Sequence, residues 1–199
     1  MLAQTTLDPQ LAAIDWATIA ELASAALAQP ANLLEWNVEA VNHGMGSATS
    51  GMYRFTGESL VDSHPTPWSI MLKVMRLDAS SNNPATRDVS HPLYWEREAL
   101  VYQSDLLREL PGGITAPRCL AVMRRPDDTL WLWLEEARDR YGPQWPLEQF
   151  ASAARCLGRF NGAYLAGWPI PADPWLCGPA SLRGILEHFA GLQEVIRDP

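Results

Sequence analysis

The segment Trp68-Ser69-Ile70-Met71-Leu72-Lys73-Val74-Met75-Arg76-Leu77 reads as a strand, and parity puts Lys73 on one face with Met71, Met75 and Leu77. An ammonium among methionines is costly unless a carboxylate neutralises it or a ligand sits beside it. Two chemistries answer that cost. One is a point charge that holds nucleotide phosphates and is steadied by a helix carboxylate. The other is a lysine at a sheet edge, its stem on apolar surface and its head in water. The carboxylate would come from the next helix, where Glu96 and Glu98 both lie in Tyr94-Trp95-Glu96-Arg97-Glu98-Ala99-Leu100-Val101-Tyr102. Helical spacing does not choose between them, and solvent is the usual place for either.

The second stretch with chemical content is His43-Gly44-Met45-Gly46-Ser47-Ala48-Thr49-Ser50-Gly51. A Walker loop would need Gly-Lys-Ser/Thr before a helix, whereas Gly51 is followed by Met52-Tyr53 and a strand. A dinucleotide fingerprint would need a third Gly where Thr49 stands, and again a helix. What remains is a glycine turn between antiparallel strands. It is either an ordinary hairpin loop or one whose backbone N–H groups approach phosphate oxygens closely.

Several elements must position these residues. Trp16 to Leu27 is Ala-rich and helical, with Asp8-Pro9 or Asp15 as its start and Pro30 as its stop. Leu33 to Asn42 and Met52 to Thr56 are strands, and Gly57 with Pro65 and Pro67 turns the chain into the Lys73 strand. After a polar loop, Asp78 to Ser90, a helix is expected over His91 to Leu110 from Trp95, Ala99, Tyr102, Leu106 and Leu110. Arg118 to Arg124 and Thr129 to Leu134 are strands joined by a Pro126-Asp127-Asp128 turn, and Leu147 to Leu165 and Ser181 to Ile196 are helices. Three strands, a helix and two strands make an α+β fold: a five-stranded antiparallel sheet carrying one helix, rather than a parallel sheet. The expected divisions are a helical segment at 1–32, a lobe at 33–137, and a hinge with helices at 138–199.

Composition bounds the rest. The 199 residues carry a net charge of −8 with a pI near 4.9, which speaks against a nucleic-acid partner. Cys119, Cys156 and Cys177 show neither a zinc nor a redox spacing. No Lys or Arg precedes Arg54, so the basic start of a secretory signal is missing, and no apolar run approaches the ~20 residues that span a bilayer. A cytoplasmic protein without a membrane partner is the expectation.

Taken together, the pieces resemble the aminoglycoside phosphotransferase and choline-kinase-like family, whose fold is protein-kinase-like. The order is carried by the glycine turn, Ile70-Met71-Leu72-Lys73-Val74, Arg97-Glu98-Ala99 with Tyr102 and Leu106-Leu107, Ala116-Pro117-Arg118, and Leu132-Trp133-Leu134-Glu135-Glu136. Cys156-Leu157-Gly158-Arg159-Phe160-Asn161-Gly162 looks like the first long helix of the second lobe. The resemblance implies an ATP- or GTP-dependent phosphotransferase acting on a small molecule, with Mg2+. Gly44, Gly46 and Ser47 would lie over the phosphates, Lys73 would hold them, and Glu98, in its Arg-Glu-Ala context, would pair with Lys73. Met71 would cover the purine, and the backbone from Leu134 through Glu135 to Ala137 would meet the base edge as a hinge.

The family's catalytic signature is a His, a short gap, an Asp, and an Asn several residues later. His43, His64 and His91 belong to the first lobe, and His188 is followed by Phe189-Ala190-Gly191-Leu192-Gln193. No catalytic residue and no Mg2+ ligand is identifiable, so the expectation is a truncated kinase, its second lobe incomplete at Pro199. The alternative is a non-catalytic nucleotide-binding or interaction module. With the second lobe incomplete, helices 147–165 and 181–196 would expose an apolar face suited to self-association.

Overall fold

The computed structural model describes residues 11, 14–41, 48–77, 87–126, 128–142 and 144–176. The glycine turn at Gly44, Gly46 and Ser47, the Asp8-Pro9 start, Cys177 and the helix expected over 181–196 lie outside these residues.

The chain is α+β. Helix α1 (Trp16–Leu27) is followed by strands β1 (Asn32–Ala40), β2 (Thr49–Val61) and β3 (His64–Arg76). Helix α2 (Arg97–Gln103), a 3₁₀ turn at Pro111–Gly113, β4 (Cys119–Arg124), β5 (Thr129–Glu135) and helix α3 (Leu147–Leu165) complete the described elements. The strands form one five-stranded sheet in the order β1-β2-β3-β5-β4, each antiparallel to its neighbours.

Helix α1 begins where Asp15 accepts a hydrogen bond from the Thr18 N–H at 2.7 Å. It ends at Ala28, whose φ of 55° is left-handed, with the Gln29 N–H returning to the Ser24 carbonyl. Ile19, Leu22 and Ala23 are its buried face. They lie on one side of the sheet, against Tyr53 and Phe55 of β2, Trp68, Ile70, Leu72 and Val74 of β3, and Trp131 and Trp133 of β5. The other side carries Met75, Leu130, Leu132 and Leu134 under Trp95 and Ala99. The sheet is thus clothed on both faces, with α1 over one and α2 over the other.

Three local expectations are corrected. Gly57 does not turn the chain: it lies within β2 opposite Trp36 and Trp68. A Cβ there would lie 2.2 Å from the Glu35 carbonyl and 2.6 Å from the Trp68 ring, so glycine admits a close approach. The turn is Asp62-Ser63, with φ of 48° and 68°, a two-residue hairpin of the primed type. Pro65 and Pro67 belong to β3 itself. They tolerate a strand because β5 pairs with β3 only from Ile70 onward, leaving this stretch an edge where the missing N–H groups need no partner.

The third correction concerns the helix expected over His91 to Leu110. Only Arg97–Gln103 is α-helical. Its approach is bent around the Arg97 guanidinium, which donates to the carbonyls of His91 at 2.6 Å and of Pro92. Its exit is stopped by Ser104, whose hydroxyl donates to the Val101 carbonyl and accepts from the Leu106 N–H.

Helix α3 has the expected bounds but no buried residue. It touches the rest of the molecule through the Pro111–Gly113 turn, where a Cβ on Gly112 (φ 81°) would meet the Phe160 amide nitrogen at 2.6 Å. Leu147 and Leu165 at its ends are 83% and 90% exposed.

Candidate functional site

Strict alternation along β3 separates Lys73 from the tryptophan core. Lys73 stands opposite Met52 of β2 and Leu132 of β5, and Met71 stands between Arg54 and Leu134. Directly opposite residues share a face, so Met71, Lys73, Leu132 and Leu134 line the side covered by α2. From that helix Glu98 reaches down, and Lys73 Nζ donates to Glu98 Oε2 at 2.5 Å. The pair is partly sheltered, the lysine side chain 20% exposed and the glutamate 38%. Glu96, the other carboxylate open at the sequence level, points instead to Arg124 of β4 at 2.6 Å. Two residues of helix rotate a side chain by about 200°, so neighbouring carboxylates of this spacing leave on nearly opposite sides. Only one of them can meet the lysine.

Lys73 is also the only lysine in the chain; every other basic side chain among the 15 Lys and Arg residues is arginine. A fork-shaped guanidinium recognises planar oxyanions, while a compact ammonium acts as a point charge that can touch several oxygens. The strand pattern does not carry this signal, although the sequence contains it.

Four residues back along β3, roughly 13 Å at strand rise, the same face carries a second polar cluster. Glu136 accepts from Ser69 Oγ at 2.6 Å, from Arg54 Nε at 2.8 Å and from Arg138 Nε at 3.3 Å. Arg54 also donates to Glu39 of β1 at 2.6 Å. Burial pushes the Glu136 carboxyl up, but the bonds from Ser69 and Arg54 outweigh it and hold it below its ordinary range. An open groove of about 470 Å³ lies beside this cluster, lined by Thr56, Gly57, Pro67, Trp68, Ser69, Glu136 and Arg138. Sequence reasoning gave Arg54 and Ser69 no role and met Glu136 only as part of the stretch expected to be a hinge.

The residues expected to form a hinge divide. Leu134 is buried on the α2 face beside Met71. Glu135 donates its N–H to the Arg118 carbonyl at 2.9 Å and pairs its carboxylate with the Arg118 side chain at 3.7 Å. Ala137 is exposed just past the end of β5. Gly44, Gly46 and Ser47 are outside the described residues, but both flanks of their loop come down near Lys73. The Val41 N–H donates to the carbonyl of Met52, which is Lys73's neighbour, and the Arg76 N–H donates to the Ala48 carbonyl. The structure therefore brings Met71, Lys73, Glu98 and Leu134 together and sets Glu135 and Ala137 at the margin.

Among the described residues no group of three or more His, Cys, Asp or Glu is placed to hold a metal ion, and no helix is long and apolar enough to cross a membrane. Cys119 and Cys156 are free and half-buried, and burial raises the Cys119 thiol. No family model, no curated protein and no solved structure matches this chain.

Proposed function

We propose that the α2-facing side of the sheet is a nucleotide site, in a lobe of the aminoglycoside-phosphotransferase-like, protein-kinase-like kind. The carrying observation is the chain's only lysine, set on an apolar strand face and met by Glu98 at 2.5 Å. Lys73 holds phosphate oxygens, Glu98 fixes the direction of the ammonium, and Met71 with Leu134 supplies an apolar surface for the base. The residues fit the nucleotide in charge and polarity: a point cation lies beside a hydrophobic floor, and the chain on either side of the Gly44-to-Ser47 stretch is tied to the strands near it. ATP or GTP would supply the transferable phosphoryl group. The described residues offer no carboxylate cluster for Mg2+, so no step is assigned to the metal.

A phosphotransferase also needs a group to accept the proton of the acceptor hydroxyl, and the His–Asp–Asn signature is absent from residues 1–199. This chain is therefore read as binding nucleotide rather than turning it over. Calorimetry with ATP and Mg2+ on the wild type and on Lys73→Ala tests the site. The expected result is saturable heat that the substitution abolishes. Equal and negligible heats in both proteins would remove the nucleotide reading.

A second reading, an interaction module that retains the lobe without chemistry, is favoured by α3. Besides its exposed ends, Phe150 and Leu157 are 56% and 54% exposed, leaving an apolar stripe along the helix. That reading predicts self-association by light scattering that ATP does not alter.

A further inference from the structure

Glu96, Arg97 and Glu98 are consecutive, and each is tied in a different direction. Glu96 is held by Arg124 of β4 at 2.6 Å, and Glu98 by Lys73 of β3 at 2.5 Å. Between them, Arg97 bonds to backbone carbonyls alone among its described contacts. Its Nε donates to Trp175 O at 2.6 Å, its Nη2 to His91 O at 2.6 Å and Val89 O at 3.4 Å, and its Nη1 to Pro92 O. Five N–H donors in a rigid plane suit such a cage, which an ammonium could not fill.

Helix α2 is poorly equipped to hold itself. It has seven residues, no side-chain cap at Glu96, and Ala99 as its one buried residue. A helix that short is unstable in isolation, so its position is set from outside. The Arg97 cage provides that hold from two directions, the 89–92 loop on one side and the Trp175 peptide on the other.

We infer that Arg97 is a positioning residue for the Lys73–Glu98 pair. By fastening the first turn of α2 to the carbonyls of residues 89, 91, 92 and 175, it sets where Glu98 stands over β3. The same bonds couple the segment around Trp175, itself buried, to the ammonium on the sheet: displacing that peptide frees Arg97, and with it Glu98. The consequence for nucleotide affinity rests on the function proposed above; the effect on the ion pair does not.

The test uses the full 199-residue chain with isotope-labelled lysine, which gives one side-chain signal because Lys73 has no competitor. Arg97→Gln, which keeps an amide donor in the cage, is compared with Arg97→Ala, Glu98→Ala and the double variant Arg97→Gln/Glu98→Ala. Arg97→Gln is expected to move the Lys73 resonance most of the way to its position in Glu98→Ala. It should also weaken ATP–Mg2+ binding about tenfold, the lower end of the loss when support for a ligand-holding group is removed. The double variant should be no weaker than Glu98→Ala, because Arg97 acts through Glu98. An unchanged Lys73 resonance in folded Arg97→Gln overturns the inference, as does a double variant whose loss is the product of the single losses. A wild type without ATP affinity would overturn the nucleotide site instead, and the Lys73 resonance would still decide the role of Arg97.

Discussion

The two faces of the sheet are made by alternate residues of the same strands, yet they obey different rules. Toward α1, β3 presents Trp68, Ile70, Leu72 and Val74, which meet Phe55 and Trp133 in an apolar layer with the Phe55 and Trp133 rings edge to face at 4.9 Å. Toward α2, the intervening Ser69, Met71, Lys73 and Met75 mix charge with thioether, and the polar members have named partners. The first face can be stable only by being dry and close-packed. The second keeps an ion pair part-way to solvent, where its contribution to stability is small and its access to a ligand is retained. A single strand therefore separates a dry apolar layer from a mixed, partly polar one by parity, and the proposed site lies on the second.

That division is most exposed to attack at Trp133, which is fully buried. Trp133→Ala should cost about 3–5 kcal/mol, enough to unfold a marginal domain, and denaturant titration measures it. A loss below about 1 kcal/mol would mean that the α1 face is not the stabilising one.

An intermediate effect is expected at Glu136, whose side chain is 12% exposed. Its folded carboxyl titrates below its ordinary value, so it contributes stability above the unfolded carboxylate range and loses that contribution as acid protonates it. Glu136→Gln should cost roughly 1–2 kcal/mol near neutrality, where charge-assisted bonds from Arg54 and Ser69 are lost. It should also flatten the decline in stability below about pH 4. Melting curves between neutral and acid pH check both, and parallel profiles for the two proteins would contradict the assignment.

The smallest stability change is expected at Lys73, the residue on which the proposed nucleotide site depends. Lys73→Met removes a charge from an apolar face and leaves Glu98 able to turn to water. The melting temperature should stay level or rise, by no more than about 1 kcal/mol of stability, while ATP–Mg2+ binding disappears. Marked destabilisation would recast Lys73–Glu98 as a structural bridge and erase the contrast between the faces.

Much of this frame was legible in the residues because its signals are local. The Asp15 cap marks the start of α1, Pro146 stands immediately before α3, and parity alone places Lys73 with Met71 and Met75. Other features depend on partners far away in the chain. Arg54 meets Glu136 across 82 residues and Ser69 meets it across 67, distances invisible to periodicity. Gly57 resembled a turn because glycine often makes one; its actual reason is the close approach of the Glu35 carbonyl and the Trp68 ring from the two flanking strands. The helix over 91–110 had the right spacing of apolar residues, but Arg97 recruits the preceding carbonyls and Ser104 competes for the following ones.

Pro65 and Pro67 carry a consequence beyond their place in β3. The stretch that runs past the end of β5 leaves a backbone border that could template another strand, from a peptide or from a second molecule. Two prolines of the same parity delete the donors that such a newcomer would need. Growth of the sheet by lateral addition is therefore opposed at this border, where Pro65 and Pro67 offer a newcomer carbonyl acceptors but no N–H donors.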